Sequence, residues 1–147
     1  MGRIKKSVSL AIFNEDGAVL LVKRPADDED LPNAWGLPAA SLGEGESWIE
    51  AAKRAGHEKL GVELEVEGEL NAGSLERATY QLDMKLFRAR IMSGKPTLAH
   101  SHSPIAQLPC SHTQYQEWKW GTEKELEPAA NAGSLCCRLF LDYKNVH

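Results

Sequence analysis

The chain has 147 residues, with 17 Lys and Arg against 21 Asp and Glu, giving a net charge of −4. A chain of this size buries about two thirds of its unfolded surface, so one domain over residues 1–147 needs neither a disulfide nor a metal staple and leaves no room for a second domain. The mild acidity excludes a domain whose main task is gripping nucleic-acid backbone, which calls for a basic excess.

Ser7–Phe13 and Ala18–Arg24 are apolar-rich runs separated by Asn14-Glu15-Asp16-Gly17, residue types that supply turn conformations, and together they predict a β-hairpin. Pro25 to Asn33 is acidic, bracketed by prolines and without periodicity, and reads as a loop. Ser47-Trp48-Ile49-Glu50 has the form of a capping box, which starts a helix running to Leu60. Ile49, Ala52 and Leu60 offer it a buried stripe, and Gly61 stands where a left-handed cap belongs. Gly56 is out of place in the middle of this helix, where glycine costs about 1 kcal/mol relative to alanine.

Beyond the helix, Val62, Leu64 and Val66 alternate with glutamates, as in a strand with one wet face. Tyr80–Ile91 continues as strand, Gly94–Ser111 reads as loop, Tyr115–Trp120 as a short strand and Leu135–Tyr143 as a terminal helix. Asn-Ala-Gly-Ser-Leu occurs twice, from Asn71 and from Asn131, with different flanks, and is read as coincidence. A mixed sheet with a central and a terminal helix gives an α/β sandwich. The cysteines Cys110, Cys136 and Cys137 form an odd set with no Cys-x-x-Cys pair, which predicts a reduced, cytoplasmic protein, and no segment approaches a membrane span.

The segment from Trp35-Gly36-Leu37-Pro38 through Glu46-Ser47 to Arg54 and Glu58-Lys59-Leu60-Gly61-Val62 resembles the signature of the Nudix hydrolases, G-x5-E-x7-R-E-U-x-E-E-x-G-U with U a bulky apolar residue. Aligned on Glu46, the box keeps Glu46, Arg54, Glu58, Gly61 and Val62, while Ala40 stands for Gly, Ala55 for Glu, Gly56 for the apolar residue and Lys59 for Glu. The resemblance implies a Nudix-like α/β/α sandwich with a mixed sheet, the loop–helix motif and a C-terminal helix. It also implies hydrolysis of the pyrophosphate bond in nucleoside diphosphate derivatives, with Mg²⁺ or Mn²⁺ held by helix carboxylates.

Positions 55, 58 and 59 share one helix sector, 59 about 40° and 58 about 60° from 55. Three glutamates there carry −3, whereas Ala55, Glu58 and Lys59 carry 0 − 1 + 1 = 0. An ammonium about 5 Å from a dication is repelled by several kcal/mol even at an effective dielectric near 20, so any metal is weakly held and activity is expected to be weak. The alternative is a non-catalytic nucleotide-binding or interaction module that keeps the fold.

By resemblance Glu46 and Arg54 form the loop-to-helix ion pair, and with Glu58 they make the expected catalytic set. Glu58 reads equally as a metal ligand or as a partner of Arg54, and Lys59 as a solvated helix-end lysine or as a cation that replaces the metal at a phosphate. Glu117 is the only late acid available as a second weak metal ligand, the other reading being a half-exposed strand residue. Lys23 and Arg24 close the second strand, where they read either as contacts to phosphates or as solvated strand-end cations. Trp35, Tyr80, Trp118 and Trp120 are aromatics that either stack on a base or fill the core, and of these Trp35 and Tyr80 join Arg24 and Lys59 as the expected substrate contacts.

His100, His102, Cys110 and His112 are zinc-type ligands in one loop, but their one-residue spacings do not match the usual zinc pairs, and zinc is not expected there. The expected partner is a small-molecule nucleotide or other diphosphate, not nucleic acid or membrane, and a homodimer is left open.

Overall fold

The computed structural model describes residues 3–24, 33–98 and 115–146. In chain order the elements are β1 (Arg3–Ile12), β2 (Val19–Lys23), β3 (Trp35–Gly36), β4 (Ala39–Ser41), α1 (Trp48–Leu60), β5 (Glu63–Glu76), β6 (Tyr80–Ser93), β7 (Glu117–Gly121), a 3-10 turn (Glu123–Leu126), α2 (Glu127–Asn131) and α3 (Leu135–Val146). Four strands form a mixed sheet in the order β4-β1-β6-β5, in which only β1 and β6 run parallel. The other three form an antiparallel sheet in the order β3-β2-β7.

The strands make the middle layer of an α/β/α sandwich because their side chains alternate between two apolar clusters. Val8, Leu10 and Ile12 of β1, Leu20 and Val22 of β2, and Phe87 and Ala89 of β6 pack with Ala51, Ala52, Ala55 and Leu60 of α1. Ala11, Val19, Leu21, Leu82, Met84 and Leu86 pack on the other side with Leu135, Leu139 and Phe140 of α3. Among the described residues no helix is long and apolar enough to cross a membrane.

The expected hairpin needs correction. The turn forms, with Asn14 Oδ1 accepting from the N–H groups of Asp16 and Ala18 at 2.9 and 3.0 Å. The runs it joins nevertheless enter different sheets, β1 pairing with β4 and β6, β2 with β3 and β7, and between the two runs the described residues form the isolated bridge Phe13–Val19. From Ser7 to Ile12 and from Val19 to Val22 every residue is buried, on both faces, and that leaves each strand free to take partners from elsewhere in the chain.

The helix begins and ends where its caps put it. Ser47 Oγ accepts from the Glu50 N–H at 3.1 Å and Glu50 Oε1 from the Ser47 N–H at 2.9 Å, while Gly61 adopts φ +67°. Of the expected stripe Ala52 and Leu60 are buried, whereas Ile49 is 40% exposed and Ala51, Ala55 and Gly56 complete the inward face. Gly56 has a steric reason, since a Cβ there would lie 2.5 Å from Leu64 Cδ1 of β5. Leu64 occupies the space that the pattern's bulky residue would fill.

The repeated pentapeptide takes two unrelated conformations. In β5, Asn71 Nδ2 donates to the Leu139 carbonyl at 3.0 Å, and a Cβ on Gly73 would lie 2.9 Å from Leu139 Cδ2, so α3 rests closely on this strand. In the second copy Asn131 ends α2 and the Ser134 hydroxyl accepts from the Cys137 N–H at 3.5 Å at the start of α3. The loops expected over Pro25–Asn33 and Gly94–Ser111 lie largely outside the described residues.

Candidate active site

The loop before α1 is tied to the helix through one carboxylate. Glu46 Oε1 accepts from the Gly43 N–H at 2.8 Å, closing the loop, and both Glu46 oxygens accept from Arg54, Nε to Oε2 and Nη2 to Oε1, each at 2.8 Å. Arg54 also donates to Glu58 Oε1 at 3.0 Å and to the Ser41 carbonyl at 2.6 Å. The Arg54 hydrogen bonds hold the Glu46 carboxyl below its ordinary range, and those of Glu46 and then Glu58 hold the guanidinium charged. The three residues expected to form the catalytic set are therefore brought together.

The other two positions of the sector are closed. Ala55 is fully buried in the apolar cluster, and Lys59 is only 4% exposed, which overturns its reading as a solvated helix-end residue. Its stem lies in the helix stripe and its Nζ stands 5.5 Å from the Tyr115 ring centroid. Burial pushes the amine down to about 8, with Glu58 opposing the shift and Arg54 and Arg24 adding to it. Tyr115 is fixed by its hydroxyl, which accepts from the Ala39 N–H at 3.1 Å.

Beside this cluster opens a cleft of about 230 Å³, bordered by Ala39, Ala40 and Ser41 of β4. Lys5, Arg24 and Arg77 line it together with Tyr80 and Tyr115, and no aspartate or glutamate does so among the described residues. Lys5 Nζ lies 5.6 Å from the Tyr80 ring centroid. Cys136, at the start of α3, closes another part of the wall.

Of the expected substrate contacts, Arg24 and Tyr80 line this cleft and Lys59 stands behind Tyr115. Trp35 is not among the lining residues: it packs on the α3-side cluster with Lys119 Nζ 4.3 Å from its ring centroid. Trp118 and Trp120 meet edge to face, centroids 6.0 Å apart, against the α1-side cluster. Glu117 is an exposed strand residue whose carboxylate pairs with Lys23 at 3.4 Å. Sequence reasoning misses Lys5, Arg77, Tyr115 and Cys136 as site residues. Only the parallel pairing of β1 with β6 and the docking of α3 bring the first, second and fourth to the same cleft, and no local motif marks that.

A divalent ion is not matched by the residues at its expected seat. Glu58 is the single carboxylate of the three positions and is hydrogen-bonded to Arg54, Ala55 has no donor atom, and Lys59 is a cation. Among the described residues no group of three or more His, Cys, Asp or Glu side chains is placed to hold a metal. His100, His102, Cys110 and His112 lie outside the described residues.

The NUDIX domain family model matches residues 3–134, and the chain belongs to the Nudix family. It is 40% identical over 68 residues to an uncharacterized Nudix hydrolase of Listeria monocytogenes, covering 46% of this chain and 40% of that protein. A second uncharacterized Nudix hydrolase, from Listeria innocua, is 41% identical over 66 residues, 44% of this chain and 39% of that one. The chain thus matches about two fifths of the length of these curated relatives. The fold is shared with a NUDIX hydrolase from Nitrosomonas europaea (TM-score 0.73, 18% identity, 97% of this chain and 90% of that one). It is shared too with the E. coli ORF135 protein (TM-score 0.72, 19% identity, 99% and 94%).

Proposed function

We propose that this Nudix protein takes nucleoside diphosphate derivatives and hydrolyses their pyrophosphate bond only weakly. The observation that carries the reading is the contrast between a cleft lined by Lys5, Arg24 and Arg77 and a helix face that keeps one carboxylate of three. Three cations beside two tyrosines suit a ligand that is anionic at one part and planar at another. The family's activation of water relies on the carboxylates that Ala55 and Lys59 replace, and losing a general base typically costs about 10²–10⁴ in rate. Glu46, Arg54 and Glu58 are assigned the role of holding the loop and helix in register beside the cleft.

The second reading, binding without turnover, is favoured by the same ion-pair cluster: Arg54 is engaged by Glu46, Glu58 and Ser41, which leaves Glu58 shared rather than dedicated to a metal. Turnover of a panel of nucleoside diphosphate derivatives with Mg²⁺ or Mn²⁺ tests both. Weak turnover supports the first reading, binding with none the second. A native kcat in the usual range of about 1–10³ s⁻¹ overturns the claim of weak activity. Ala55→Glu with Lys59→Glu is expected to gain turnover, provided circular dichroism shows that the variant folds.

A further inference from the structure

We infer that anionic ligands enter this cleft without a divalent ion, the positive charge being supplied by Lys5, Arg24 and Arg77 on its wall and by Lys59 behind Tyr115. This rests on the ligand class proposed above and adds what it is that binds that ligand.

Charge at a fixed place decides the matter. A helix with three carboxylates in the sector carries −3, and a single bound dication brings it to −3 + 2 = −1; without the ion, a phosphate approaching it is repelled. Here the same positions sum to 0 − 1 + 1 = 0 with nothing bound. The helix face of this chain is therefore already less hostile to an anion than a loaded three-carboxylate face. Arg54 and Glu46 cancel each other within their ion pair and leave that balance unchanged.

The cleft itself adds three cations and no carboxylate from the described residues. Lys59 completes the arrangement from inside: it is buried, with its ammonium 5.5 Å from the centroid of an aromatic ring that lines the cleft. A charge held in a poorly solvated place acts on a neighbouring anion with little screening by salt. Lys59 is in this sense a positioning residue for the ligand's charge and does not need to touch the phosphate.

The test uses the full chain and ADP as probe, by isothermal titration calorimetry in excess EDTA and in excess MgCl₂. The expected result is binding in EDTA at least as tight as in MgCl₂, where the Mg²⁺-bound nucleotide carries less negative charge. Lys59→Met, which keeps the stem and removes the charge, is expected to weaken ADP roughly tenfold in EDTA, with circular dichroism checking that the variant folds. Arg77→Ala, at the β5–β6 turn, is expected to weaken it by a similar factor. Binding that appears only with Mg²⁺ overturns the inference and leaves the ligand class standing. Binding in neither condition overturns the ligand class itself. Chelator-insensitive binding that Lys59→Met leaves unchanged overturns the part assigned to Lys59.

Discussion

Arg54 grips Glu46 through two parallel hydrogen bonds of 2.8 Å, and the same guanidinium reaches the Ser41 carbonyl at 2.6 Å, so one side chain joins the loop, the helix and the strand that borders the cleft. Lysine cannot reproduce this fork. Arg54→Lys is expected to destabilise the fold by about 2 kcal/mol, the range for lost hydrogen bonds to charged groups, as measured by urea unfolding. An unchanged midpoint would show that the three-way contact contributes nothing.

The same pair sets a pH dependence. Folding lowers the Glu46 carboxyl below its ordinary value of 4.5, chiefly through Arg54. Its contribution to stability is therefore full above 4.5 and is lost as pH falls through the lower, folded value. Glu46→Gln should flatten the acid limb of the stability curve in that window relative to the native chain. Parallel curves for the two proteins would contradict this.

At Gly56 the sign of a substitution depends on the neighbouring side chain. An alanine there gains about 1 kcal/mol of helix propensity but drives its Cβ to 2.5 Å from Leu64 Cδ1, and overpacking typically costs about 1–3 kcal/mol. Gly56→Ala is expected to destabilise the native chain by up to about 2 kcal/mol and to stabilise the Leu64→Ala variant. A double-mutant cycle by denaturant unfolding reads both signs, and additive effects would refute the contact.

These cases separate what the chain announces locally from what only packing decides. The caps of α1 are legible because Ser47, Glu50 and Gly61 act on backbone groups within a few residues. The Glu46–Arg54 pair is legible because the box fixes its spacing. The division of β1 and β2 between two sheets is not, since Val19-Leu20-Leu21-Val22 is apolar on both faces and names no partner. Lys59 misleads for the opposite reason: a lysine near a helix end reads as polar, and only the packing of α1 on the sheets shows that its stem belongs to the buried stripe. The cleft depends on register, with Arg3 opposite Tyr80 and Lys5 opposite Leu82, and register between strands so distant in sequence leaves no local mark.

The cleft wall also carries a thiol whose neighbours favour its charged form. Cys136 Sγ lies 4.0 Å from Cys137 Sγ and 3.4 Å from Ser134 Oγ, in the first turn of α3. Hydrogen bonding from Cys137, then from Ser134 and the Leu37 backbone, lowers Cys136 below an ordinary thiol, with the Arg24 charge adding to this. Burial opposes this at Cys136, and Cys137 is pushed the other way by its neighbour and by burial. Cys136 lines the cleft whereas Cys137 is fully buried, so iodoacetamide should alkylate Cys136 before Cys137. Peptide mapping by mass spectrometry separates the two sites from Cys110. Because Cys136 shares its cleft with Lys5, Arg24 and Arg77, ADP should slow its alkylation, and should do so in EDTA as well as in Mg²⁺. Labelling of Cys137 first would place the charge on the wrong sulfur, and equal rates with and without ADP would separate the thiol from the ligand.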